Sequence, residues 1–200
     1  MRRDQLEHLI RASGHVLETD EVIVIGSQAI LASVPAGLPR EAIRSIEADI
    51  LPINDADETK ADLIDGLLGE ASAFQETHGI YAQGVGQHTA RLPLGWRDRL
   101  IPLCNENTDG VTGWCPERHD LCVSKLLAGW PKDIQFCRAL IAAGIVEPAT
   151  LLERLAQCDA TAADNERLQG FVRGAAGRAN ELDHDTASRR HAGDDLDIGL

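Results

Sequence analysis

Residues 21–51 read EVIVIGSQAILASVPAGLPREAIRSIEADIL, and three short pieces of that stretch decide the fold. Val22-Ile23-Val24-Ile25 is a β-branched run that stops at Gly26-Ser27, which predicts a strand over 21–25 ending in a tight turn. Ser27 is a good N-cap for a helix over about 28–34, ended by Pro35 and Gly37. A second apolar run, 46–51, carries Glu47 and Asp49 and is closed by Pro52. Residues i and i+2 of a strand share a face, so the two carboxylates project together as hard-oxygen ligands suited to Mg²⁺. Small residues after the first strand let the backbone approach a ligand, and a helix starting there turns free N–H groups toward an anion. A phosphate cradle beside a divalent-metal pair is therefore expected. An edge strand with one wet face is the plainer account of the same carboxylates. Nineteen residues separate Ser27 from Glu47, and Pro35-Ala36-Gly37-Leu38-Pro39 reads as a loop that absorbs the excess.

Outward from this stretch, Leu6, Leu9, Ile10 and Val16 fall at helical spacing and predict a helix over 3–17 packed on the sheet. Residues 55–71 predict a helix with acids in its first turns and Ile64, Leu67 and Leu68 on its apolar face. Further strands are expected at 79–85, 99–104 and 111–115. From Glu117 the pattern turns to helix after helix: 117–130, a segment opened by Pro131 at N1, 148–157 and 162–178. Residues 181–200 are polar and weakly periodic, as in a disordered acidic tail. The expected class is α+β: a nucleotide-handling core over 1–116 with its N-terminal helix, a helical region over 117–180, and the tail.

The chain of 200 residues carries a net charge of −13, which argues against a broad nucleic-acid surface. Residues 1–116 hold 9 basic and 18 acidic side chains, whereas 117–180 hold 8 of each. Any RNA contact is thus expected to be local, near Arg91, Arg97 and Arg99 or on the neutral C-terminal half. Five cysteines with no C-x-x-C pair read as reduced thiols, pointing to the cytoplasm rather than to disulfides or structural zinc. No run of about 18 apolar residues occurs, so no membrane span is expected. The charged opening, MRRDQLEHLIRASGHVLETD, lacks the apolar core of a secretory signal.

A second constellation is HDLCVSKLLAGWPKD, residues 119–133. Lys125 either snorkels beside an apolar stripe or reaches into the cleft to neutralise a triphosphate. Asp120 reads as a first-turn acid, and Lys132-Asp133 as a helix opening. The histidines show no metal-ligand spacing, and no G-x-S-x-G, G-x-G-x-x-G or Walker A motif is present. Trp96, Trp114 and Trp130 lie near turns and read as core or hinge anchors rather than base-stacking platforms.

Together, Gly26-Ser27, Ser45-Ile46-Glu47-Ala48-Asp49-Ile50, LPLGWRDRL (92–100) and HDLCVSKLLAGWPKD resemble the AbiEii/MenT-like minimal nucleotidyltransferases over about residues 20–145. The resemblance implies a DNA-polymerase-β-like core followed by a C-terminal helical bundle. It also implies a toxin of a type IV-like toxin–antitoxin pair, with a cognate antitoxin protein as partner. Members add nucleotides from an NTP, often a pyrimidine one, to the 3′ acceptor end of tRNA and so block aminoacylation. Carried over, Gly26 and Ser27 match the triphosphate turn, and Glu47 with Asp49 the Mg²⁺-binding pair. Lys125 matches the motif lysine and Asp133 the acid that follows it, so Asp49, Lys125 and Asp133 are the expected catalytic set. Two features depart from the pattern: Trp130-Pro131 stands where relatives commonly have an arginine, and Gln83 rather than an acid lies in the 79–85 run, leaving Asp98 as the nearest candidate. These departures motivate the alternative of a catalytically silent module acting through protein contacts.

Overall fold

The computed structural model describes residues 1–194. A five-stranded mixed sheet with spatial order β3-β2-β1-β5-β4 forms the centre. Its strands are β1 (Glu21–Ile25), β2 (Glu47–Leu51), β3 (Tyr81–Gly84), β4 (Ile101–Leu103) and β5 (Thr112–Cys115). The central strand β1 runs antiparallel to β2 and parallel to β5, while β3 is parallel to β2 and β4 antiparallel to β5. The expected mixed sheet flanked by helices is present.

Strand alternation sorts the side chains into two faces. Val22, Val24, Ala48, Ile50, Ala82 and Cys115 join the main core, where α1 (Arg3–Leu17) contributes Leu6, Leu9 and Ile10 and α3 (Thr59–Leu68) contributes Ile64 and Leu68. The opposite face carries Ile23, Ile25, Leu51 and Val85, covered by Ile53, Ala90, Trp96 and Trp114. Glu47 and Asp49 alternate onto this second face, where helices do not blanket the sheet.

The helix predicted from Asp55 begins only at Thr59. The Asp55 carboxylate is buried and folds back to accept from the backbone N–H groups of Lys60 and Ala61, both at 2.9 Å, so the early acid serves as a remote cap. The segment predicted as helix over 28–34 is a 3₁₀ turn at Ser27–Ala29 followed by the four-residue α2 (Ile30–Ser33). A short α4 (Ala73–His78) precedes β3 and was not expected.

After the sheet come α5 (Arg118–Ala128), α6 (Pro131–Ala142), α7 (Pro148–Leu155) and α8 (Ala162–Asp194). Leu121, Leu126, Leu140, Leu151, Leu168 and Val172 from these helices belong to the same core cluster as the strands. The backbone remains helical from 181 to 194, within the segment expected to be a disordered tail; residues 195–200 lie outside the described residues. Among the described residues no helix is long and apolar enough to cross a membrane.

Candidate active site

Gly26 ends β1 with φ +77°, a left-handed conformation that glycine adopts without steric cost. The β1–β2 register pairs Ile25 with Asp49, which sets the glycine directly beside the acid. A Cβ at Gly26 would lie 1.9 Å from Asp49 Oδ2, so the absent side chain is what lets the turn and the carboxylate meet. Ser27 does not act as the expected N-cap. Gly26 holds that position, and Ser27 Oγ accepts from the side-chain amide of Gln28 at 3.2 Å. The helix that follows is too short to supply much of a dipole, so the turn itself is what stands beside the acid pair.

A cleft of about 320 Å³ lies at this point, and its walls include Ser27, Glu47, Asp49, Lys125, Asp133 and Phe136. The sheet tip, the acid pair of β2 and the α5–α6 helices thus converge on one hollow, bringing together the residues singled out from sequence. Lys125 Nζ stands 3.3 Å from Asp133 Oδ1, and both side chains are largely buried. The lysine is therefore held in place rather than snorkelling.

Burial and then the neighbouring Glu47, within hydrogen-bonding distance, push the Asp49 carboxyl up to about 7. Lys125 and Lys132 act in the opposite direction. Two carboxylates this close share a proton unless a cation joins them. Glu47 accepts from the Tyr81 hydroxyl at 3.1 Å, and burial followed by the Glu47 charge pushes that phenol up to about 12. Among the described residues no group of three His, Cys, Asp or Glu could hold a metal ion, so the donor set is the pair alone. A pair fits Mg²⁺, which commonly binds one or two protein carboxylates and completes its shell with water and substrate phosphate.

Gln83 lies in register with Asp49 on the adjoining strand, so the position beside the acid pair is filled by an uncharged amide. Asp98, the nearest candidate for a third carboxylate, sits in the 3₁₀ turn Trp96–Arg99 and is not among the residues lining the cleft. The arginines expected to offer a local RNA surface also make contacts within the fold. Arg99 donates to the buried Asp120 at 2.8 Å, Arg91 donates to the carbonyl of Asp159, and Arg97 lies over the Trp96 ring. Trp96 and Trp114 anchor the second face as expected, but Trp130 does not: it is 63% exposed at the α5–α6 junction.

Glu41, Arg44 and Gln135, to which no sequence motif points, also line the cleft, as do Ser45 and Lys132 from the two quoted motifs. The segment after Pro39 reads as mere loop in sequence, yet it forms a wall of the cleft facing α6. The available signal was a basic residue, Arg44, three positions before the first acid of the pair.

Neither the curated proteins nor the solved structures yield a match to this chain. Residues 4–172 match the family described as nucleotidyltransferase of unknown function (DUF6036), and the chain belongs to that family.

Proposed function

We propose that the chain transfers a nucleotidyl group from an NTP to an acceptor hydroxyl within this cleft. The observation that carries the reading is the convergence of Ser27, Glu47 with Asp49, and the Lys125–Asp133 pair on one hollow, with Gly26 set against Asp49. In the reaction the acceptor oxygen forms a bond to the α-phosphorus. The bond from that phosphorus to the bridging oxygen breaks, and pyrophosphate departs with the electron pair. The hydroxyl proton passes to Asp49 or to solvent. Glu47 and Asp49 would hold Mg²⁺, which supplies Lewis-acid stabilisation of the phosphoryl oxygens when bound. The Gly26-Ser27 turn cradles the phosphates, Lys125 offsets their charge, and Asp133 fixes the lysine in place.

The finer reading rests on the resemblance to AbiEii/MenT-like enzymes. The acceptor is the 3′ end of a tRNA, the consequence is blocked aminoacylation, and the chain is a cytoplasmic toxin restrained by a cognate antitoxin. The test is incubation with each α-³²P-labelled NTP, Mg²⁺ and total tRNA. Label on RNA from wild type, and none from a folded Asp49→Ala variant, is the expected result. The silent-module reading draws support from Gln83 beside Asp49. It takes over if no NTP labels RNA, protein or small alcohols.

A further inference from the structure

Three cations line the cleft, and they differ in what holds them. Arg44 stands 3.6 Å from Glu41, and Lys125 stands 3.3 Å from Asp133. Lys132 is exposed, and no carboxylate among the described residues lies within ion-pair distance of it. Its position is otherwise unfavourable. It occupies the second residue of α6, directly after Pro131 at N1, where the unpaired N–H groups already concentrate positive charge. A lysine there faces the wrong end of the helix dipole, and among the described residues no carboxylate forms an ion pair with it. It nevertheless lines the same cleft as Asp49 and Glu47.

From this contrast we infer that Lys132 is the mobile cation that grips the β- and γ-phosphates and follows the leaving pyrophosphate, while Lys125 is fixed by Asp133 as part of the cleft wall. The inference rests on the nucleotidyl-transfer reading and adds to it the residue that meets the leaving group. A flexible, strongly hydrated ammonium on a four-carbon stem suits that task, because it can move with the group it neutralises. Pyrophosphate leaves with more localised negative charge than it carried in the NTP, so a cation that follows it stabilises the transition state more than the ground state. Sequence alone hides this division of labour, since both lysines belong to one motif.

The test is calorimetric titration of the full chain with tripolyphosphate in the presence of Mg²⁺. Wild type binds, Lys132→Gln weakens binding by about tenfold or more, and Lys132→Arg restores most of it. Because Lys132 is exposed and has no ion-pair partner among the described residues, Lys132→Gln does not lower the melting temperature, whereas Lys125→Ala lowers it by stranding the buried Asp133. If wild type binds and Lys132→Gln binds within about twofold of it, the lysine has no such role and the wider reading stands. If wild type itself binds neither tripolyphosphate nor any NTP, both this inference and the nucleotidyl-transfer reading fail.

Discussion

At the scale of single residues, the acid pair sets up a conflict between stability and function. Asp49 ionises near 3.8 in an unfolded chain but is pushed up to about 7 in the fold by burial and by Glu47. Below the unfolded value both states carry the proton, and the site contributes nothing to the pH dependence. Between the two values the folded state keeps a proton that the unfolded state has released, so stability falls as pH rises across that window. Above about 7 the full cost is present. In the absence of divalent cations, Asp49→Asn is therefore expected to melt higher than wild type at pH 8. The gap should narrow toward pH 4, where thermal melts would show it closing. The same variant loses nucleotide transfer, since an amide cannot serve as an anionic ligand. Gly26→Ala tests the neighbouring position. It meets both a left-handed φ and the Asp49 carboxylate, so about 1–3 kcal/mol of destabilisation is expected from backbone strain alone. Loss of transfer should accompany it, and a denaturant titration paired with the labelling assay measures both.

Between elements, the decisive contacts join segments far apart in sequence. Asp120 is fully buried on α5 and accepts from Arg99 Nε at 2.8 Å and Nη2 at 3.1 Å, while Arg154 Nε of α7 stands 3.3 Å away. One carboxylate thus ties the turn that covers the second sheet face to two helices. Asp120→Ala leaves two guanidinium groups without their anion, which should cost about 3 kcal/mol or more. Urea titration would read the loss, and an effect below about 1 kcal/mol would reduce the triad to a surface-type contact. Nothing in HDL announces this role, because the partners come from 21 residues upstream and 34 downstream of Asp120. The strands were more legible: a β-branched run stopped by Gly26 needs no distant partner to be a strand, and 21–25 coincides with β1. The acid doublet was legible for the same local reason, by its spacing of two. The cleft wall contributed by Arg44 was not, since only tertiary packing sets the segment after Pro39 against α6. The start of α3 misled because acids near a helix start look alike in sequence, whether they cap from within the first turn or, like Asp55, fold back from outside it.

Across the whole molecule, the sheet and the C-terminal helices share one apolar interior. Leu9 of α1, Ile50 of β2, Leu126 of α5 and Leu151 of α7 are each fully buried and belong to one cluster. A composition shift at Glu117 divides the chain on paper, but removing either half would expose the apolar side chains of the other. That continuity also bears on the cleft, whose walls come from both sides of the shift: Ser27, Glu47 and Asp49 from one, Lys125, Lys132 and Asp133 from the other. A site assembled this way holds its geometry only while both parts remain folded together. Unfolding should therefore proceed as one cooperative transition. Trp96 and Trp114 report on the sheet face, whereas far-ultraviolet circular dichroism is dominated by the helices. The two signals should give the same urea midpoint in wild type. Leu9→Ala on the sheet side and Leu126→Ala on the helical side should each cost about 2–5 kcal/mol and move both signals together. A variant that shifts the circular dichroism midpoint while leaving the tryptophan midpoint in place would show two separately stable units. The cleft would then be a boundary between domains rather than a pocket within one.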